Sequence, residues 1–390
     1  MTLSIPNRTL VLVALGGAIA MTSGMGIGRF VYTPILPVMV EGLHMSKGEA
    51  GLIASANYIG YFLAAMLGTI RLPFSRRFWF AAALIGNALA TGLMGFASDL
   101  NSFLIIRFVG GMMSAFILVF GSSIVFEKLS LAGRPQLNWI FFAGVGTGIT
   151  LSAVLVAALS HAGYDWRMMW YASSAVTALG CLLALSFTKG EGLTNTHAHP
   201  AAALGTSNAG YILVVIGYGL LGFGYVISAT FLVAMTRLEP TLRFLEPVIW
   251  VLVGLSALPS SYAWNRIADR IGMLNACIIG YLIEAAGVAA SVLWISPTGI
   301  IFAALTLGGT FVGITSIGFT AARQMSPMDP RRNAGIMTAA FALAQIIGPL
   351  IAGYSFDHSG SFKTSALLAA GALLISALTT FWAKRYAKAL

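Results

Sequence analysis

Three charged residues, Arg29, Arg107 and Glu284, lie inside apolar stretches long enough to cross a bilayer. We expect the functional groups of this protein among them. A charge in the hydrocarbon core costs roughly 2.5–3.5 kcal/mol on insertion scales, so such residues are rare and usually functional. Arginine stays charged and binds carboxylate or phosphate through two parallel hydrogen bonds. Arg29 and Arg107 therefore predict a substrate-binding site for an anion.

Each arginine also has a structural interpretation. Arg107 would bond backbone carbonyls of the first span and touch no substrate. Arg29 would extend its guanidinium to the outer membrane interface. The sequence leaves both alternatives open.

Glu284 lies in the middle of the ninth apolar stretch and is the candidate for coupling transport to a proton. A buried glutamate can bind and release a proton, whereas a glutamate that faces lipid would simply stay neutral. No other Asp, Glu or His lies deep in a span. Anion exchange, uniport, or protonation of Glu49 or Glu246 near the outer ends of their spans remain alternatives.

Amides and tyrosines supply the other substrate-binding candidates, of which Asn57, Tyr61 and Tyr225 rank first. The same class contains Tyr58, Tyr218, Thr230, Thr310, Thr315, Ser316 and Gln345. Any of these residues would serve equally well in hydrogen bonds between neighbouring helices.

The composition indicates which elements must position these residues. The chain has 390 residues, of which 58% are hydrophobic and 9% charged, whereas a soluble domain is about 25% charged. This excludes a soluble enzyme, a nucleic-acid binder and a disordered protein, and it predicts a polytopic membrane protein. Cys181 and Cys277 lie in apolar runs and predict neither a disulfide nor a metal site.

Twelve apolar stretches, bounded by charge, Pro, Gly or Asn clusters, predict transmembrane helices. The predicted spans are 9–38, 49–70, 78–97, 101–126, 138–160, 168–188, 210–235, 247–264, 274–295, 299–322, 334–356 and 364–384. The polar segment 189–208 predicts a central cytoplasmic loop between six-helix bundles at 1–188 and 209–390. The first stretch lacks a clear cleavage site and is interpreted as an uncleaved helix, with Pro34 and Pro37 bending or ending it.

Lysine and arginine are distributed unevenly between the loops. With the N-terminus inside, most of them fall on the inner side, and the outer loops hold Lys47, Arg167, Arg237, Arg243 and Lys363. This distribution follows the positive-inside rule. It predicts an inner (plasma) membrane protein of bacterial type with both termini in the cytoplasm. The net charge of +10 therefore reflects topology and not a nucleic-acid partner.

An internal repeat relates the two halves. GIGRFVYTPILP at 26–37 aligns with GFGYVISATFLV at 222–233, Gly110-Gly111 with Gly308-Gly309, and Gly148 with Gly348. Two parallel repeats with a site at their interface are typical of transporters. The alignment pairs Tyr225 with Arg29, so we expect these two residues to face each other across a cavity.

Several motifs resemble those of the major facilitator superfamily. NRIADRIG at 265–272 is similar to its loop motif Gly-x-x-x-Asp-Arg-x-Gly, with Asn265 replacing the first glycine; the first-half copy at 68–77 has Leu72 in place of the acid. Arg107-x-x-x-Gly111-x-x-x-Ala115 is similar to the family's fourth-helix motif. The segments at 26–37, 57–61, 223–231 and 308–318 resemble the YbfB/YjiJ-type branch.

The resemblance implies an all-α membrane protein whose twelve helices form two pseudo-symmetric bundles. These would rock around a cavity lined mainly by spans 1, 4, 7 and 10, with spans 3, 6, 9 and 12 as outer support. It also implies that Asp269, Arg270 and Arg266 form a conformational latch at the inner end of the eighth span.

The expected function is secondary active transport of a small organic solute by alternating access, and the two arginines favour an anion. The alternatives are an efflux pump for hydrophobic or cationic compounds, which suits the 24 Phe, 16 Met and 8 Trp, and a non-transporting receptor on a transporter fold. No Walker motif, metal-ligand cluster or nucleophilic triad is present, so neither a cofactor nor enzyme activity is expected. The expected partners are a small-molecule substrate, a coupling proton and the lipid bilayer, with the chain as a monomer.

Overall fold

The chain forms α-helices joined by short connections in the computed structural model, which describes residues 7–68, 70, 72–188, 208–326 and 330–386. The first half contains α1 (Asn7–Met21), α2 (Tyr32–Leu43), α3 (Lys47–Leu67), α4 (Arg76–Leu93), α5 (Leu100–Leu131), α6 (Asn138–His161) and α7 (Trp166–Phe187). The second contains α8 (Asn208–Leu238), α9 (Glu246–Ile271), α10 (Met273–Leu293), α11 (Pro297–Met325), α12 (Pro330–Ser359) and α13 (Lys363–Ala383). The segment expected as the central loop lies outside the described residues, except Asn208.

The predicted all-α membrane fold is confirmed. Eleven of the described helical stretches are long and apolar enough to span a membrane. The helix α4, which matches the third predicted span, is the less apolar exception because it begins with Arg76 and Arg77 and contains Asn87. Several helices begin at side-chain caps, as at Ser46, whose hydroxyl accepts a hydrogen bond from the Glu49 amide at 3.0 Å. Such caps satisfy backbone donors that helix starts leave free.

The first span is interrupted, and the interruption comes before the prolines. A π-helical segment, Thr22–Ile27, follows α1, and a turn then leads into α2. Pro34 and Pro37 both lie within α2, which continues to Leu43. Pro34 is tolerated because it lies in the first turn of α2, where its missing amide has no helical partner to lose. The bend expected at the two prolines is therefore wrong: the interruption covers residues 22–31 and ends three residues before Pro34.

The two halves repeat the same helix pairing. In the first half α3 and α4 pack on α5, α4 packs on α7, and α1 packs on both α6 and α7. In the second half α9 and α10 pack on α11, α10 packs on α13, and α8 packs on both α12 and α13. Each pair in one half has its counterpart six spans later, which is the pseudo-symmetry that the internal repeat predicts.

The halves meet along two helix pairs, α3 with α12 and α6 with α9, and α2 also contacts α8. Both pairs approach closely at glycines. A Cβ on Gly146 of α6 would lie 2.5–2.9 Å from three backbone atoms of α9. Gly51 of α3 and Gly353 of α12 likewise face backbone carbonyls of the opposite helix. Small residues permit this approach, on which helix association in lipid depends.

Substitution of Gly146 by alanine tests this packing. We expect Gly146→Ala to destabilise the protein by about 1–3 kcal/mol, since backbone atoms have little freedom to move aside. Gly371→Ala is the matched control, because a Cβ at Gly371 meets nothing within 4 Å, and it should be neutral or stabilising by about 0.5–1 kcal/mol. Thermal unfolding in one detergent measures both. Equal midpoints for the two variants would contradict the close approach of α6 and α9.

Candidate functional site

Arg107 of α5 is bound to the interrupted part of the first span. Its Nη1 donates to the Gly28 carbonyl and its Nη2 to the Arg29 carbonyl, each at 3.2 Å. The Arg29 carbonyl is available because the Thr33 amide bonds Phe30 instead. The side chain of Arg107 is only 4% exposed, and its guanidinium also lies 4.9 Å from the Tyr32 ring centre. This geometry matches the structural interpretation of Arg107.

Asn57 of α3 reinforces the same junction. Its Nδ2 donates to the Arg107 carbonyl at 2.9 Å, and its buried Oδ1 accepts no hydrogen bond from a described residue. Asn57 therefore joins α3 to α5, as expected of a polar residue between packed helices. Its free acceptor lies in the protein interior, where an unpaired oxygen is costly.

Arg29 has a different environment from Arg107, although both are buried. Its guanidinium carbon lies 4.5 Å from the ring centres of both Tyr58 and Tyr61 on α3. The Nε and Nη2 groups have no hydrogen-bond partner of good geometry among the described residues, although the Tyr58 and Tyr61 hydroxyls lie near the guanidinium. The guanidinium thus does not extend to the membrane interface. Cation–π contact compensates part of the lost hydration, but it leaves N–H groups without acceptors and a positive charge without a described counter-ion.

Tyr225 of α8 belongs to the second half of the chain. It lies within electrostatic range of Arg29, the residue with which the repeat alignment pairs it. Its hydroxyl accepts a hydrogen bond from Gln345 Nε2 of α12. Its ring stacks between Phe311 and Phe341, at centroid distances of 5.5 and 5.8 Å. Arg29 and Tyr61 are therefore in contact, and Tyr225 lies within electrostatic range of both, its ring forming an aromatic wall with Phe311 and Phe341.

Glu284 faces the protein and not the lipid, since its side chain is fully buried on α10. Neither carboxyl oxygen has a hydrogen-bond partner of good geometry among the described residues. The neighbouring polar groups are Thr310 of α11 and Tyr225 of α8. An ionised carboxylate without donors is strongly disfavoured in such surroundings, so this packing suits the neutral acid.

The expected latch residues Asp269, Arg270 and Arg266 are all exposed at the end of α9. Within the described part of the chain, Asp269 and Arg270 form no ion pair within 4.0 Å, and Arg266 contacts Tyr262 one turn away. The first half does form an ion pair at the corresponding place, between Arg76 and Glu127 at 2.9 Å. That pair joins α4 to α5 although Leu72 is not acidic.

The charged groups that join the two halves lie at one end of the molecule, which we call the gate end. It contains the end of α2, the start of α3 and the ends of α8 and α12. The Asp357 carboxylate of α12 accepts the amides of Lys47 and Gly48 at 2.9 and 2.7 Å. Arg237 of α8 lies 3.2 Å from Glu41 of α2. These contacts close the gate end, which the charge distribution predicts to be the outer one.

Two important residues were not among the candidates from the sequence. Asn87 of α4 and Ser114 of α5 are fully buried and contact the interrupted first span. Asn87 had a detectable signal, since it is an amide within an otherwise apolar helix. Ser114 had none, because serine is common in packed membrane helices.

Comparison with known proteins gives a consistent result. A family model described as "Uncharacterised MFS-type transporter YbfB" matches residues 21–381. An Agrobacterium vitis protein whose name assigns it to tartrate transport is 25% identical over 88% of this chain and 83% of its own length. The hexuronate transporter of Bacillus subtilis (strain 168) is 21% identical over 88% and 87%. The crystal structure of nucleoside transporter NupG matches 97% of this chain and 100% of its own, with a TM-score of 0.71 and 16% identity.

The two arginines should respond differently to substitution. Arg107→Met leaves two carbonyls without donors, and each buried unsatisfied group costs about 1–3 kcal/mol. Arg29→Met removes a cation whose Nε and Nη2 groups have no described acceptor, so it should cost less or even stabilise the protein. Thermal unfolding of both variants in one detergent measures the difference. An equal or greater loss for Arg29→Met would contradict the division of roles.

Proposed function

Because this chain belongs to the YbfB-type family of major facilitator transporters, we propose that it moves a small organic anion by alternating access, with Arg29 as the anion-binding residue. The observation that carries the proposal is the buried Arg29 guanidinium, whose Nε and Nη2 have no acceptor among the described residues. A carboxylate can take up both the charge and these two donors at once. An anion thus supplies what the protein leaves unpaired.

The relatives favour a carboxylate over other anions. Tartrate and hexuronate, named for two of them, are both hydroxylated carboxylates. The polar groups near Arg29 fit such a solute, because the Tyr61 and Tyr225 hydroxyls could bond its hydroxyl groups. Asn57, whose Oδ1 is free, stays a further candidate. In this proposal Arg107 acts by holding the backbone around Arg29, without contacting the solute.

Efflux of hydrophobic or cationic compounds is the second candidate, and the aromatic wall of Phe311, Tyr225 and Phe341 favours it. Two buried arginines oppose it for cations, since Arg29 and Arg107 would repel a positive solute in a medium of low dielectric constant. Phe30 also packs edge-on against Phe311, with 5.8 Å between the ring centres, so part of the aromatic wall is already covered by the first span. We therefore rank the anion first.

The transport cycle would move the two bundles, 1–188 and 209–390, against each other. Closure of the gate end by Asp357 and Arg237 suits a state in which Arg29 communicates with the opposite side. Opening of the gate end would break exposed and half-buried polar contacts, whose individual contributions to stability are small. In the proposed orientation the protein spans the inner membrane of a bacterial-type cell, and both termini lie in the cytoplasm. One chain suffices for the cycle. Asp269, Arg270 and Arg266 would pair in another state of the cycle.

Glu284 is the proposed proton-binding residue. It is buried in α10 without a hydrogen-bond partner of good geometry, and Tyr225 lies within electrostatic range of both Glu284 and Arg29. Binding of an anion at Arg29 together with a proton at Glu284 would leave the moving protein with no added net charge for a monovalent solute.

Uptake by proteoliposomes tests the anion site. We expect Arg29→Gln to reduce the uptake of labelled tartrate or glucuronate at least about tenfold, as removal of a charge-assisted hydrogen bond does. The uptake by Arg29→Lys should lie between those of the wild type and Arg29→Gln. Arg243→Gln is the control, because Arg243 is exposed. Wild-type uptake by Arg29→Gln would exclude this role for Arg29.

A separate measurement tests the proton site. Glu284→Gln mimics the neutral acid, so it should keep solute exchange between equal pools but lose accumulation driven by a pH gradient. Glu239→Gln, in the loop after α8, is the control. Persistent gradient-driven accumulation by Glu284→Gln would show that the proton binds elsewhere or that transport is uncoupled.

A further inference from the structure

The direction in which Arg29 points depends on the π-helical segment before it. In this segment the amide of Gly28 bonds the Ser23 carbonyl at 2.9 Å, and that of Phe30 bonds Met25 at 3.3 Å. Both bonds reach five residues back, where an α-helix reaches four. One extra residue in a turn rotates every later side chain by about 100° around the axis. An unbroken α-helix would therefore aim Arg29 away from Tyr58 and Tyr61.

A π-helical segment is stable in lipid only if its displaced carbonyls find donors. Two side chains of the neighbouring helices supply them at its beginning. Asn87 Nδ2 of α4 donates to the Ser23 carbonyl at 3.0 Å, as a second donor beside the Gly28 amide, whose shift to Ser23 leaves the Gly24 carbonyl without its α-helical partner. The Ser114 hydroxyl of α5 has three acceptors in range, of which the Gly24 carbonyl is the nearest at 2.7 Å. Arg107 serves the two carbonyls at the other end of the interruption.

The packing shows that these contacts belong to this backbone path. A Cβ on Gly28 would collide with the Asn87 side-chain amide, so the glycine and the asparagine fit only as a pair. Asn87 Oδ1 also lies 3.4 Å from the Ser114 hydroxyl. The two residues therefore form one small polar cluster, fully buried between α4, α5 and the first span.

We propose that Asn87 and Ser114 are positioning residues for the substrate site: by binding the carbonyls of Ser23 and Gly24 they hold the first span in its π-helical register and so aim Arg29 at Tyr58 and Tyr61. What Arg29 binds rests on the function proposed above, whereas the control of its direction does not. Neither residue contacts the solute itself.

The variants Ser114→Ala and Asn87→Leu remove these donors. Ser174→Ala is the matched control, because Ser174 donates to a carbonyl of the same helix α4, that of Ala88 at 2.8 Å, and leaves the first span untouched. Ser114→Thr keeps the hydroxyl and should behave as the wild type. If Asn87→Leu fails to fold, Ser114→Ala still decides the question.

Two readouts separate positioning from general stability. Hydrogen exchange of the peptide covering residues 22–31, measured in nanodiscs without solute, should be about tenfold faster in Ser114→Ala and Asn87→Leu and unchanged in Ser174→Ala, as expected when a buried hydrogen bond is lost locally. The dissociation constant for tartrate should rise by about the same factor in the same two variants.

Each outcome has a distinct meaning. If exchange at 22–31 in Ser114→Ala and Asn87→Leu equals that in Ser174→Ala, the positioning role is wrong, whatever the solute. If exchange rises but tartrate affinity is unchanged, the register does not control Arg29, and the proposal is likewise overturned. If the wild type binds neither tartrate nor glucuronate, the proposed solute class fails, and the exchange experiment alone then decides the role of Asn87 and Ser114.

Discussion

A backbone carbonyl inside a membrane has no water to bond, so every carbonyl that leaves a helix must receive a donor from the protein. The interruption of the first span depends on this constraint. Four of its carbonyls are served by three side chains, Asn87, Ser114 and Arg107. The path of the first span thus explains why α4 contains a buried Asn87 and α5 a buried Ser114 and Arg107. The position of Arg29 follows from that path.

The two buried arginines have the same side chain but different surroundings, and the surroundings give them different roles. Arg107 uses its guanidinium to bond backbone carbonyls and becomes part of the scaffold. Arg29 has two tyrosine rings and N–H groups without described acceptors. A buried cation of this kind is unfavourable unless an anion or polarizable groups face it. The scaffold therefore maintains a site that an anion would complete.

The contacts between the halves combine firm packing with weak polar closure. Along α6 and α9 the backbones touch at Gly146, where close approach gains dispersion energy. At the gate end, Asp357 and Arg237 make contacts near the surface, where water competes for the same groups. In the proposed cycle the packed helix pairs would act as a pivot while the polar contacts break and form.

Composition, hydropathy and charge determined the all-α membrane fold and the approximate ends of the helices, because a span in lipid must be long, apolar and internally hydrogen-bonded. They also singled out Arg29, Arg107 and Glu284, since charges in such spans are costly. Sequence could not decide which arginine binds backbone, whether Glu284 faces lipid, or where the first span breaks. Those answers depend on the rotation of each helix and on donors from helices distant in the chain, such as Asn87. Only the packed tertiary structure brings these groups together.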